Sequence, residues 1–239
     1  MKRASVIAVM VALIIGVTTC LSFAAMSFRV YGGYSMLNPT KYNDEQTGDY
    51  LVDAYGGEIV TQDKLSSAIP FGVDVRYRTN PGLMFSLGFT RFSGKAGFTW
   101  ENVWFGEEVE RRDTISVMGG LGSVLYAVGN GNFAFYFGGG AGYYLVNLEK
   151  TVPVEDLPWW LDEYEYKAKG NKFGFHGVGG FQYFLSENMA LGVEILYRML
   201  TLPELTITEH DVSTFVDEPW EHELNLGGIN ILFGLNIYI

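Results

Sequence analysis

Beyond residue 25 no stretch approaches the roughly 20 consecutive apolar residues that a membrane-crossing helix requires. In its place a period-two alternation of side chains recurs eight times. Phe28, Val30, Gly32, Tyr34 and Met36 alternate with Arg29, Tyr31, Gly33 and Ser35. Phe71, Val73, Val75 and Tyr77 alternate with Gly72, Asp74, Arg76 and Arg78, and Leu83, Phe85, Leu87 and Phe89 with Met84, Ser86, Gly88 and Thr90. Ile115, Val117, Gly119, Leu121 and Leu125 alternate with Ser116, Met118, Gly120, Gly122 and Tyr126. Four further runs cover about 132–148, 172–185, 189–200 and 224–239. Consecutive strand residues point to opposite faces, so each run carries two unlike faces. The count is eight, and it is even.

The connections alternate in length. Thr79-Asn80-Pro81-Gly82, Gly129-Asn130-Gly131 and Ser186-Glu187-Asn188 are short and hold residues that accept tight-turn dihedrals. Long connections cover about 38–68, 94–113, 149–172 and 200–224. Short turns at one end and long loops at the other are the pattern of an up-and-down barrel with periplasmic turns and extracellular loops.

Charge placement separates a membrane barrel from a soluble one. Of 27 acidic residues, 24 fall in the four long connections. The strands and short turns hold only Asp74, Glu187, Glu194, Arg29, Arg76, Arg78, Arg91 and Arg198. A soluble barrel needs a polar outer face on most strands. Here the large apolar row of each strand is assigned to lipid, where a mid-bilayer charge costs about 2–4 kcal/mol. Arg91 has lipid-face parity but lies at the outer end of its strand, within reach of headgroups.

Residues 1–24 read as a secretory signal peptide, with Lys2 and Arg3 as the positive start, an apolar core from Val6 to Val17, and Ser22-Phe23-Ala24 before the cleavage point. Residues 25–239 then form one domain, since no Ser/Gly tract or charge block divides them. Cleavage removes Cys20 and leaves fourteen basic residues against 27 acidic ones, a balance that excludes nucleic acid as a partner.

Three segments carry a family likeness. Phe135-Tyr136-Phe137-Gly138-Gly139-Gly140-Ala141-Gly142-Tyr143-Tyr144 is a glycine-rich fifth strand, and Gly180 to Asn188 with Leu191-Gly192-Val193-Glu194 are two strands around a short turn. The last strand places Ile231, Phe233, Leu235, Ile237 and Ile239 on one face. In these the chain resembles the small OmpA/OmpX-like outer-membrane β-barrel family. The resemblance implies a closed antiparallel eight-stranded barrel in the bacterial outer membrane, and a last strand read by the barrel-assembly machinery. That signal usually ends in Phe, whereas this chain ends Tyr238-Ile239.

Six charges have inward parity: Arg29, Asp74, Arg76, Arg78, Glu194 and Arg198. Eight strands enclose an interior just wide enough for side chains to fill, and charges inside it must pair. They form either a lumen network that plugs the barrel or the lining of a narrow pore, with Arg29 and Arg78 nearest the short-turn rim. His176 is an inward residue of the sixth strand; His210 and His222 flank carboxylates in the last loop, more often a solvated acidic run than a metal site. Ser213 near His210 has no recognisable nucleophile motif. Trp100, Trp104, Phe105, Trp159, Trp160, Tyr164, Tyr166, Phe215 and Trp220 lie in the long connections, as an interfacial girdle or a partner surface. The expectation is a monomeric, non-enzymatic integral outer-membrane protein with no cofactor. Its partners are membrane lipid and an extracellular ligand at the long loops, and its role is envelope integrity or surface interaction. The alternatives are a narrow conduit for small or hydrophobic molecules and a lipid-modifying barrel enzyme.

Overall fold

The computed structural model describes residues 26–39, 42–43, 58–79, 82–102, 107–152, 164–203, 205–211 and 224–239. The expected signal peptide, with Trp104, Phe105, Trp159, Trp160, Ser213, Phe215, Trp220 and His222, lies outside them. Eight long strands make the wall: β1 (Met26–Leu37), β3 (Ser67–Arg78), β4 (Leu83–Asn102), β5 (Glu107–Asn130), β6 (Phe133–Val152), β7 (Tyr164–Ser186), β8 (Met189–Met199) and β12 (Gly228–Tyr238). Each pairs antiparallel with its neighbours in the order β1-β3-β4-β5-β6-β7-β8-β12, and the β1–β12 ladder closes the ring. Closure leaves no strand edge in lipid, where an unpaired backbone group is costly. The three short turns fall where the Gly, Pro and Asn clusters placed them, and Gly131 adopts the left-handed φ of +65° that its turn needs.

The long connections are shorter than the sequence indicates, because the strands continue into them. A membrane strand needs about 9–11 residues, yet β4 to β7 run to between 20 and 24. Residues 94–102 and 107–113, and 149–152 and 164–172, are therefore hydrogen-bonded hairpins. They are widened by β2 (Glu58–Asp63) on β4 and β10 (Thr206–Asp211) on β7. Acids expected in loops, such as Glu101, Glu110, Asp113 and Glu149, are strand residues. An unbroken ladder satisfies their backbone groups better than a loop would.

The lipid face matches the alternation on β1, β3, β4, β6, β8 and β12, with Phe28, Phe71, Leu87, Phe137, Ile195 and Phe233 exposed. On β5 it is reversed. Ile115, Val117, Leu121 and Leu125 point into the lumen, and Val124, Tyr126 and Val128 point out. Register with β4 and β6 decides this, and an apolar lumen accepts the larger row.

Three inward glycines seat tyrosines. The Tyr31 ring lies where a Cβ on Gly72 would stand, and a Cβ on Gly180 or Gly119 would come within 2.6 Å of Tyr136 or Tyr144 respectively. A lumen this narrow takes a large ring only where the facing wall has no side chain.

Candidate functional site

Four of the six expected lumen charges meet at the centre of the barrel. Arg29 comes from β1, Asp74 and Arg76 lie two apart on β3, and Glu194 crosses from β8. Arg29 Nε donates to Asp74 Oδ2 at 2.7 Å, and its Nη1 and Nη2 donate to Glu194 at 2.7 and 3.1 Å. Arg76 Nε donates to Asp74 Oδ1 at 2.8 Å and its Nη2 to Glu194 Oε2 at 2.7 Å. Tyr136 Oη donates to the same Glu194 oxygen at 2.9 Å. The guanidinium groups of Arg29 and Arg76 lie over the rings of Tyr31 and Tyr136. Two cations and two carboxylates, each at most 6% exposed, form a neutral quartet, so each buried charge faces its opposite at hydrogen-bond distance.

Arg29 is thus the hub of the network and not a rim residue. The other two expected members stand apart. Arg78 is exposed at the short-turn end. Arg198 is buried four residues beyond Glu194, where Nε donates to the Leu226 carbonyl at 3.0 Å and the guanidinium lies 3.9 Å from the Phe92 ring centroid. A backbone carbonyl and an aromatic face replace the expected carboxylate. His176 joins from β7, its Nε2 hydrogen-bonded to Ser123 Oγ at 2.8 Å. Beside the quartet remains a cavity of about 20 Å³, lined by Asp74, Arg76, Ser86, Ser123, His176 and Glu194 among others. That is room for about one water molecule.

Toward the hairpin end an apolar plug fills the bore. Leu200, Leu202 and Leu205 leave the wall after β8, and Leu224 and Leu226 return before β12, all almost fully buried. The short strands β9 (Thr201–Leu202) and β11 (Leu224–Asn225) pair Leu202 with Leu224, and Leu226 N donates to the Leu200 carbonyl at 2.8 Å. They pack with Leu37, Leu65, Phe92, Ile115, Val117 and Tyr144 in one buried cluster. Sequence reasoning missed this plug. The leucine spacing at 200, 202 and 224, 226 was its one signal, but residues from 224 on read as the last wall strand, which in the structure begins only at Gly228.

A second polar group lies beyond the plug, toward the hairpins. Tyr42 Oη donates to Asp113 Oδ2 at 2.6 Å, and Arg111 Nε and Nη2 donate to the same carboxylate at 3.0 and 2.9 Å. Lys150 faces Asp113 across the β5–β6 ladder and is 5% exposed. Burial pushes the Tyr42 hydroxyl well above the usual tyrosine range, helped by Asp113. Burial likewise holds the Lys150 ammonium well below the usual lysine range, with Arg111 adding and Asp113 opposing. Trp100, expected at the interface or in a loop, is an inward residue, 1% exposed. Among the described residues no group of three or more His, Cys, Asp or Glu is arranged to hold a metal.

A family model described as the outer membrane protein beta-barrel domain matches residues 9–227. No curated protein sequence matches significantly. Among solved structures, Neisserial surface protein A is 12% identical with a TM-score of 0.42, covering 90% of this chain and 97% of that one. The attachment invasion locus protein of Yersinia pestis is 11% identical with a TM-score of 0.39, covering 89% and 99%. The outer membrane protease OmpT from Escherichia coli is 12% identical with a TM-score of 0.44, covering 92% and 99%. A closed lipid-faced wall and a family match over most of its length establish that the chain belongs to the outer-membrane protein β-barrel domain family and is an integral protein of the outer membrane.

Proposed function

We propose that this barrel is a non-enzymatic envelope protein with a closed lumen, which presents its long acidic hairpins outside the cell in the service of envelope integrity or surface interaction. One observation carries the reading: among the described residues the bore is filled by the quartet and the leucine plug, and the cavity beside the quartet holds about 20 Å³. Hydrated ions need a continuous water path, and a cavity for one water supplies none. The same filling speaks against catalysis at Ser123 and His176, since among the described residues the space adjoining that pair is a cavity of about 20 Å³. The hairpin end is external by the topology common to outer-membrane barrels. Reconstituted in planar bilayers, the protein shows no stable single-channel steps on this reading. Reproducible unitary conductance would reject it in favour of a narrow conduit.

A further inference from the structure

The outer wall of β4 to β7 carries a chemical boundary that the closed lumen does not explain. Ladder register aligns its outward residues in rows across four strands. Phe89, Gly120, Tyr143 and Phe173 form one row, and Leu87, Gly122, Ala141 and Phe175 the row below it. The next row toward the hairpin tips is Arg91, Met118, Leu145 and Asn171, then Ser93, Ser116, Asn147 and Lys169, then Lys95, Thr114, Glu149 and Lys167. Apolar side chains give way to hydroxyls, an amide and cations within two rows.

Not every cation there is available. Arg112 is engaged by Glu110 at 2.6 Å and Lys167 stands opposite Glu149, whereas Asp63, opposite Gly97 and one row beyond Lys95, forms no ion pair with it. Arg91, Lys95 and Lys169 remain exposed, with no ion pair to a carboxylate among the described residues. In a chain of formal net charge −11, three uncommitted cations flanking a Ser93–Ser116–Asn147 floor are a local reversal of sign.

Directly beneath lies a furrow along β5. A Cβ on Gly120 would meet no atom within 4 Å, and one on Gly122 would meet only Leu87 Cδ2 at 3.6 Å. Leu87 and Phe89 form one bank and Tyr143 and Leu145 the other, two strand spacings or about 10 Å apart. From Gly122 to Ser116 the strand rises about 20 Å, enough to cross one leaflet of about 15 Å and enter the headgroup zone.

We infer that this face seats one outer-leaflet lipid whose headgroup carries two phosphates, with an acyl chain in the Gly120–Gly122 furrow and the phosphates held by Arg91 and Lys95 on one side and Lys169 on the other. Two phosphates match the spacing of the cations, because β4 and β7 stand three strand spacings apart, about 14 Å. Serine hydroxyls and the Asn147 amide supply neutral donors between them. The inference rests on placement in the outer membrane and not on the closed lumen, so a conducting barrel would leave it standing.

The test counts lipids retained by the full barrel in detergent, using native mass spectrometry during titration with bisphosphorylated lipid A, its dephosphorylated form and phosphatidylcholine. Wild type should retain the bisphosphorylated lipid in strong preference to the other two. The R91Q/K95Q/K169Q variant should lose about fivefold per cation, on the order of a hundredfold in all, for that lipid alone. Gly120→Leu, at a position where an added Cβ meets no atom within 4 Å, fills the furrow and should weaken all three lipids alike, while gel heat-modifiability reports an intact barrel. Equal retention of phosphorylated and neutral lipid by wild type would overturn the inference. So would wild-type retention by either variant, or a patch that binds inorganic phosphate but no lipid.

Discussion

Glu194→Ala is the sharpest perturbation of the closed lumen. Glu194 receives two hydrogen bonds from Arg29, one from Arg76 and one from Tyr136, between 2.7 and 3.1 Å. Its removal leaves two guanidinium groups sharing Asp74, so a neutral cluster becomes a buried cluster of net charge +1. Both arginines are at most 5% exposed, so water cannot take the place of the lost carboxylate without entering the lumen. Breaking one side of a buried pair costs about 3–5 kcal/mol. Glu194→Gln keeps the volume and one acceptor and should cost about 1–3 kcal/mol. The double variant Arg29→Met/Glu194→Met restores neutrality, leaving the Arg76–Asp74 pair at 2.8 Å, and should recover most of the loss. Urea unfolding in lipid vesicles, followed by tryptophan fluorescence and by gel mobility with and without boiling, measures all three. A cost below about 1 kcal/mol for Glu194→Ala, or a double variant no better than the single, refutes the quartet as the support of the lumen.

Phe233→Arg places a cation on the exposed apolar face of β12 and should cost about 2–4 kcal/mol near the midplane; unchanged heat-modifiability on a gel would contradict the assigned face. Lys150 binds its proton less readily folded than unfolded, so it contributes stability that rises as pH climbs toward lysine's ordinary 10.5. Lys150→Met should therefore stabilise the barrel at pH 7, by a margin that shrinks on going to pH 10 in the same urea assay; a margin independent of pH refutes the burial argument. Leu202→Ala and Leu226→Ala each open space in the plug and should cost about 2–5 kcal/mol, whereas costs near zero would show that the plug does not pack as described. Trypsin added to intact cells should spare Arg111 and Arg112, which lie in β5 within continuous ladders, and efficient cutting there would show that the hairpin is not formed.

Period-two alternation and the turn residues were enough to count the wall strands and place the three short turns, because side-chain period and turn dihedrals are local properties of the chain. Inward parity of Arg29, Asp74, Arg76 and Glu194 was legible for the same reason, and the cost of an ion in lipid gave that parity its direction. Partner choice was not legible. Arg198 shares the parity of Glu194 yet meets Phe92 and a carbonyl, since shear and register between distant strands, and not spacing along one strand, decide what stands opposite. The face of β5 could not be assigned from its own residues, because an apolar row satisfies either lipid or an apolar lumen. Only pairing with β4 and β6 turned Ile115, Val117, Leu121 and Leu125 inward. The plug was hidden for a related reason. Leu200 and Leu202 open an acidic connection, Leu224 and Leu226 read as the start of the last wall strand, and the four become a core only when the chain folds back into the mouth of a barrel that its other strands have already closed.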